Sequence, residues 1–506
     1  MTVSKTKNAF YNISFALFLQ IVTVISGLIL PRLIIPKYGS EINGLIISIN
    51  QFLTYIALLE AGAEGVFRTA MYEPFANNDF KRISKIFNTS KRFFKKIALI
   101  LIVYVLALCV IFPLLVNQNN DWKFTILMIL ILSISSFFQY FVSIPYISVL
   151  SAAQKVRIVY VIDAILILLN VLVSYVLILL NANILIVKLC STLLFVLKPM
   201  FFIIYVKKKY PLEKTTELDD ISLSNQRYGF IHHLAQFIHT NADIIIITLI
   251  LGVKDVSVYA VYYAVVSGVE RIISSFSVGS AAGIGTVLSE NNKEKSTDLI
   301  EKYEFIQGSL TTLLFTITAI MLMPFISLYT SNMIDANYID ETFGYLLILA
   351  NSMYCFRLIY STITLNGNKY KETILGAILE CLVNIVISLV LVWKFGLVGV
   401  AIGTLIGMFV RYIFELIYLR NNLIKRKLYK PLSFLIVNVV ISCFSIFIGQ
   451  KIVNNFFVST WESWIFSAIL VSLLTAIVCL LFYSVFYRKR MFKVLNILLQ
   501  ILKKNH

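Results

Sequence analysis

The chain has 506 residues, of which 59% are hydrophobic and only 14% are charged, with a net charge of +18. Soluble domains carry about 25% charged residues, so this composition excludes a string of soluble domains in spite of the length. Apolar runs of about 20 residues, the length that crosses a bilayer as a helix, recur with short polar breaks between them. They lack the alternation of barrel strands. The sequence therefore predicts an all-α integral membrane protein.

Fourteen transmembrane helices are predicted in chain order. They cover residues 9–35, 42–66, 97–116, 124–150, 158–180, 184–206, 228–251, 256–288, 305–330, 342–365, 373–393, 397–419, 431–453 and 461–487. The basic run Lys81–Lys96 predicts a separate amphipathic helix on the inner leaflet, just before the third span. The domains that follow are an N-terminal six-helix lobe (1–206), a cytoplasmic linker (207–227), a C-terminal six-helix lobe (228–430), and two extra helices with a cytoplasmic tail (431–506).

The distribution of lysine and arginine predicts the orientation. With both termini in the cytoplasm, the inside segments hold 33 cations and the outside loops hold five. Short inside loops are enriched in Lys and Arg, and these residues are attracted to anionic inner-leaflet lipid. The net charge of +18 is thus explained by topology, and no nucleic-acid partner is expected.

The two halves resemble each other at an offset of 213–214 residues. Gly39 and Gly44 match Gly252 and Ser257. Further matches join Lys155, Asn170, Ser174 and Lys198 to Lys369, Asn384, Ser388 and Arg411. Six helices separate the members of each pair, so both run the same way through the membrane. This predicts two pseudo-symmetric lobes, an arrangement found in transporters.

Several ionised side chains lie inside the predicted spans, where a charge near the bilayer centre costs about 2.5–3.5 kcal/mol. Four cations lie at one depth, fourteen or fifteen residues from the outer end of their spans: Lys198, Arg271, Arg357 and Arg411. Glu270 and Asp243 reach a similar depth. The excess of four cations over two carboxylates predicts a positive belt for an anionic substrate, since Arg matches phosphate oxygens. Structural ion pairs are the alternative interpretation.

Three stretches of the sequence resemble the multidrug/oligosaccharidyl-lipid/polysaccharide exporter superfamily. They read FYNISFALFLQIVTVISGLILPRLIIPKYGSEINGL, LLEAGAEGVFRTAMYEPFANND and LNGNKYKETILGAILECLVNIVISLVLVWKFGLVGVAIGTLIG. Within that superfamily the chain most resembles the bacterial polysaccharide flippases, which move O-antigen or capsule repeat units to the outer leaflet. The resemblance implies a V-shaped cavity between the lobes, a bacterial cell-membrane location and an undecaprenyl-pyrophosphate-linked oligosaccharide as substrate.

The resemblance also implies roles for particular residues. Arg271 stands where relatives place a cation of the lumen, and Arg32 is a second candidate, with snorkelling to the outer interface as its alternative. Relatives driven by a gradient use acids and amides of spans 7, 11 and 12. The candidates here for a coupling Na⁺ or H⁺ are Asp243, Glu380, Asn384 and Thr404. The order of acid and amide departs from that of the lipid II flippases, and interhelical hydrogen bonding is the alternative for these residues.

Competing functions remain open from the sequence. A cation-coupled multidrug exporter of the same fold should have an acidic cavity, which the count of cations disfavours, and a lipid II-type flippase is a further alternative. A membrane polymerase or glycosyltransferase needs a catalytic loop or domain, and the short outside loops offer none, so no enzyme activity is expected. The candidate partners are the lipid-linked oligosaccharide, the bilayer, and a polymerase and glycosyltransferases of the same pathway.

Overall fold

We analysed a computed structural model of the chain. The structure describes residues 2–60, 62–116, 122–213, 217–219, 227–289, 293–367, 369–422, 426–455 and 458–494. Within these residues it is helical, with connecting turns and loops and no strand. Helices satisfy every backbone donor and acceptor internally, which a hydrocarbon environment requires. The fold class predicted from composition is therefore confirmed.

The N-terminal half forms ten α-helices and one π-helical turn. They are α1 (Thr2–Tyr38), α2 (Ser40–Thr54), α3 (Ala57–Glu60), α4 (Ala63–Ala70), α5 (Tyr72–Ala76), α6 (Phe80–Leu115), α7 (Trp122–Phe138), the π turn Gln139–Ser143, α8 (Ile144–Ala152), α9 (Arg157–Leu179) and α10 (Ile184–Lys209). The second half continues with α11 (Arg227–Ile250), α12 (Val253–Ser289), α13 (Lys293–Tyr329), α14 (Glu341–Asn366), α15 (Tyr370–Phe395), α16 (Leu397–Asn422), α17 (Tyr429–Asn455) and α18 (Trp461–Phe486).

Thirteen helical segments of the described residues are long and apolar enough to cross a membrane. Helix α11 coincides with the remaining predicted span, 228–251, and its apolar part is the shorter stretch Leu234–Ile250. The outward faces of these helices are apolar, as at Leu114, Leu172 and Val390, whose exposed fractions are 77%, 60% and 67%. Bare apolar side chains in this number suit lipid as the solvent. The chain is a multi-pass membrane protein.

Two local predictions are wrong. Residues Lys81–Lys96 do not form a separate helix, because they continue without a break into the third span as the 36-residue α6. At 1.5 Å per residue this helix is about 54 Å long, so its basic end extends well beyond the hydrocarbon layer. The second predicted span, 42–66, is interrupted after Thr54 and again near Gly62, whose φ of +76° is a left-handed conformation that glycine tolerates.

The chain divides into two compact units. One holds Met1–Phe237 with Ile244–Ala260, and the other holds Ile238–Asp243 with Val261–His506. The division passes through α11 and α12, whereas the predicted boundary between the lobes is the linker 207–227. The reason lies in the first unit, where the start of α12 packs closely on α2.

The contact between α2 and α12 joins residues that the predicted repeat makes equivalent. Asn43 Nδ2 donates to Ser257 Oγ (2.8 Å). Gly39 and Gly252 precede the two helices with φ values of +90° and +99°. A β-carbon on Gly44 would lie 1.6 Å from the carbonyl oxygen of Val253, so the close approach of the two backbones requires glycine.

The first part of the linker is tied to the basic end of α6. The Lys85 ammonium pairs with Glu217 (2.5 Å) and the Arg82 guanidinium with Asp219 (3.5 Å). The backbone N–H of Asp219 donates to Thr89 Oγ1 (3.0 Å). The described acidic residues of the linker thus lie on one face of α6, at the end that carries its cations.

Candidate functional site

Helices α15 and α16 pack closely enough to bring backbone against backbone. Gly399, Gly403 and Gly407 form a small-residue stripe along α16 at intervals of four residues, which puts them on one face. A β-carbon on Gly403 would lie 2.1 Å from Ser388 Oγ and 2.7 Å from the backbone nitrogen of Ser388. Small residues permit this spacing in membranes, and the spacing brings the polar groups of both helices into contact.

A buried group of polar oxygens joins α11, α15 and α16 in the second unit. Thr404 Oγ1 donates to Asp243 Oδ2 (2.9 Å), and Asn384 Nδ2 lies 3.5 Å from Thr404 Oγ1. Ser388 Oγ donates to Asn384 Oδ1 (3.2 Å). All four side chains are less than 9% exposed. Three of the four predicted ion-coupling residues, namely Asp243, Asn384 and Thr404, therefore lie together.

The first unit contains the same arrangement at the equivalent positions. Asn170 Oδ1 accepts hydrogen bonds from Ser191 Oγ (2.5 Å) and Ser174 Oγ (3.5 Å). At the offset of 213–214 residues, these three correspond to Asn384, Thr404 and Ser388. The position that corresponds to Asp243 is Ile29 or Leu30. The amide and hydroxyls are thus common to both units, and the carboxylate is present in the second unit alone.

Glu380, the fourth predicted ion-coupling residue, lies instead among arginines. Arg357 Nη2 approaches Glu380 Oε1 (3.4 Å), and Arg411 Nε lies 3.9 Å from Glu380 Oε2. Arg411 Nε also donates to Glu415 Oε1 (2.8 Å), and Arg357 Nη1 is 3.6 Å from the same oxygen. The side chains of all four are at most 4% exposed. We call Arg357, Glu380, Arg411 and Glu415 the four-charge cluster.

The predicted excess of cations is wrong, because the count omitted carboxylates. The four-charge cluster contains two arginines and two glutamates. Lys198, the third of the four cations, pairs with Asp163 of α9 (Nζ to Oδ1, 2.7 Å). Glu415 was detectable in the sequence, since it lies four residues after Arg411 on one helix face. Asp163 was not assignable to Lys198, because nothing in the sequence pairs positions on two different helices.

Arg271 differs from the other three cations. Its side chain is half-buried on α12 and forms no ion pair within 4.0 Å among the described residues. Neighbouring Glu270 lies within the electrostatic reach of both Arg271 and Arg357. Arg32 is half-buried on α1, next to Pro31, and the structure does not place it with the four-charge cluster. The described residues contain no group of three His, Cys, Asp or Glu side chains that could hold a metal ion.

No protein-family profile matches the sequence, and no curated protein matches it. Solved structures do. An inward-facing multidrug resistance MATE family transporter of the MOP superfamily is 16% identical with a TM-score of 0.63, covering 82% of this chain and 98% of its own. The lipid II flippase MurJ, in an inward closed conformation, is 16% identical with a TM-score of 0.61 and covers 94% and 98%. The chain has the MATE/MurJ fold.

A eukaryotic MATE transporter shows the MATE/MurJ fold again, with 14% identity, a TM-score of 0.57, and 82% of this chain covered. The superfamily inferred from the three sequence stretches is therefore confirmed at the level of fold. Identities of 14–16% leave the substrate open. The two likenesses with the highest TM-scores here, 0.63 and 0.61, also differ too little to choose between drug export and lipid flipping.

Proposed function

We propose that the chain flips undecaprenyl-pyrophosphate-linked oligosaccharide repeat units from the inner to the outer leaflet of the bacterial cell membrane by alternating access. The observation that carries this proposal is the state of Arg271. It is a half-buried guanidinium inside an apolar span, and no carboxylate of the described residues pairs with it within 4.0 Å. Such a charge is costly in a membrane unless a ligand or water meets it.

A diphosphate suits this guanidinium. The planar fork of Arg donates two parallel hydrogen bonds to a phosphate, and the interaction is stronger in a surrounding of low dielectric constant. Glu270 follows one residue earlier, about 100° away around the helix, so the two side chains do not face each other. We assign Arg271 to the diphosphate, and we assign the four-charge cluster to structure, because its charges already balance.

Two alternatives share the fold. A drug exporter handling organic cations needs carboxylates that are not already paired with arginine, and Glu380 and Glu415 do not meet this need. The likeness to MurJ extends over 94% of this chain and the likeness to the MATE transporter over 82%, which supports lipid flipping. A lipid II-type flippase would present the same diphosphate chemistry to Arg271, so the sugar must distinguish it.

The test replaces Arg271 in proteoliposomes that carry the full chain and undecaprenyl-pyrophosphate-linked oligosaccharide. Arg271→Ala should abolish accessibility of the head group in the opposite leaflet, and Arg271→Lys should retain part of it, because the charge remains while the fork is lost. Arg488→Ala is the matched control, since Arg488 is an exposed arginine after α18. Normal flipping by Arg271→Ala would overturn the assignment.

We further propose that Asp243, Asn384 and Thr404 bind the coupling cation, Na⁺ or H⁺. A buried carboxylate with an amide oxygen and a hydroxyl offers the hard oxygen donors that such an ion requires, and intramembrane acids commonly serve proton or ion coupling. The equivalent group around Asn170 lacks a carboxylate. Its survival without one shows that the amide and hydroxyls suffice for helix packing, so Asp243 needs a further explanation.

Thermal unfolding of the purified chain in NaCl and in KCl at equal ionic strength tests this. A sodium site predicts a higher Tm in NaCl that Asp243→Asn and Thr404→Ala remove, whereas Ser191→Ala, at the equivalent position of the first unit, leaves it. A proton site predicts no difference between the salts but a dependence of flipping on the pH gradient, which Asp243→Asn abolishes. Gradient-independent flipping together with equal Tm values would contradict both.

A further inference from the structure

The first unit contains a polar cavity of about 420 Å³ that the function described so far does not use. Helices α1, α7, α9 and α10 and the π turn line it. The polar side chains in its wall include Ser135, Gln139, Ser143, Asp163 and Lys198, and Phe195 adds an aromatic wall. Sites for small molecules have volumes of about 300–1,000 Å³ and combine apolar walls with a few polar groups. This cavity has the size and composition of such a site.

The π turn places polar groups in the cavity. Pro145 has no N–H and its ring conflicts with the carbonyl of residue 141, so the regular hydrogen-bond ladder is interrupted there. Within the turn, Gln139 and Ser143 both line the cavity. Such π-helical segments occur frequently at functional sites. Ser143 is 1% exposed, and its hydroxyl finds no hydrogen-bond partner among the described residues. A buried hydroxyl without a partner costs about 1–3 kcal/mol, which a ligand donor or acceptor would remove.

The charge of the cavity selects the class of ligand. Lys198 and Asp163 neutralise each other at 2.7 Å, and each side chain remains 20% exposed. A neutral pair has no net attraction for a diphosphate or for an organic cation. It presents an ammonium donor next to a carboxylate acceptor, as neighbouring hydroxyl groups of one ring require. Gln139 adds both donor and acceptor, and Phe195 offers an apolar wall to ring C–H groups.

We propose that this cavity is a saccharide subsite, which binds a sugar ring of the head group while Arg271 meets the diphosphate. The inference rests on the proposed function, since it names the part of the same substrate that the first unit recognises. It changes the role of Lys198 from diphosphate binding, as the sequence predicts, to recognition of uncharged hydroxyls through its pair with Asp163.

The test measures binding to the full chain in nanodiscs. The probes are undecaprenyl diphosphate and the same lipid carrying N-acetylglucosamine, N-acetylgalactosamine, glucose or galactose. We expect at least one glycosylated probe to bind about tenfold more tightly than the bare lipid, the effect of one or two good hydrogen bonds. Gln139→Leu and Ser143→Ala should remove that increment and leave the affinity for the bare lipid unchanged. Ser136→Ala, on the same helix but outside the cavity wall, is the matched control.

Failure of this inference is distinguishable from failure of the proposed function. The subsite is overturned if all four glycosylated probes bind no more tightly than the bare lipid, or if Gln139→Leu and Ser143→Ala change the increment no more than Ser136→Ala. The diphosphate assignment is overturned if Arg271→Ala leaves the affinity for the bare lipid unchanged. A sugar-dependent increment that is lost in Gln139→Leu supports the subsite whatever Arg271→Ala does.

Discussion

Removing one carboxylate from the four-charge cluster should destabilise the chain strongly. Glu415 is fully buried, accepts from Arg411 Nε (2.8 Å) and Ser361 Oγ (2.9 Å), and lies 3.6 Å from Arg357 Nη1. Glu415→Gln keeps the shape but leaves two guanidinium groups facing Glu380 alone. Breaking a buried ion pair on one side costs about 3–5 kcal/mol, whereas replacing both members by apolar residues is often neutral.

The charge-balanced comparison is Arg411→Met with Glu415→Met. Arg411 also donates to the carbonyl of Thr373 (3.0 Å), so the double variant should lose about 1–2 kcal/mol, mostly from that hydrogen bond. Equilibrium unfolding in mixed micelles measures both, with Glu462→Gln at an exposed position as control. The double variant should also keep flipping, because we assign the diphosphate to Arg271. A loss of less than about 1 kcal/mol in Glu415→Gln, or loss of flipping in a stable double variant, would refute this reasoning.

Two further predictions concern packing and the linker. Gly44→Ala should lower the free energy of unfolding by about 1–3 kcal/mol or more through overpacking, because its β-carbon meets the backbone of Val253, while Gly27→Ala, with nothing within 4 Å, should be neutral or stabilising; equal Tm values would contradict the contact. Lys85→Glu should free the linker and speed its proteolysis in inverted vesicles, and adding Glu217→Lys should slow it again. The hydrogen bond from Lys85 lowers the pKa of Glu217, so the tie should persist at neutral pH and be lost only as the pH falls through that lowered pKa; a tie that weakens between pH 7 and 6 would contradict it.

The fold was largely predictable, because each transmembrane helix announces itself within a window of about 20 residues. Two failures have local causes. A basic amphipathic run before a span does not reveal whether the helix continues, and in α6 it does. The break in the second span depends on Gly62, whose left-handed conformation cannot be told in advance from an ordinary helical glycine. The boundary between the units lies inside α11 and α12 because of the contact of Gly44 with Val253, which is a tertiary fact.

The site was predictable as a set of residues but not as a set of pairs. The sequence singled out Arg357, Arg411 and Lys198 as intramembrane charges, and each is indeed buried or half-buried. Their partners come from other helices, with the exception of Glu415, so the net charge could not be counted from the chain. The repeat carried more information: the offset that pairs Asn170 with Asn384 also pairs Ser191 with Thr404, and the structure builds the same hydrogen-bonded group from each set.

The internal repeat offers a way to separate structure from function within one chain. Where both units keep the same polar group, as with the amide and hydroxyls around Asn170 and Asn384, helix packing is a sufficient reason for it. Where one unit departs, packing alone does not explain the difference. Asp243 has an aliphatic residue at its equivalent position, and Lys198 pairs across helices with Asp163 whereas its equivalent Arg411 joins two glutamates. These departures give the two units different chemistry: one offers neutral donor–acceptor pairs that suit hydroxyls, and the other offers a buried carboxylate for a cation and an arginine for a diphosphate. A carrier whose substrate has a sugar end and a charged end needs that division.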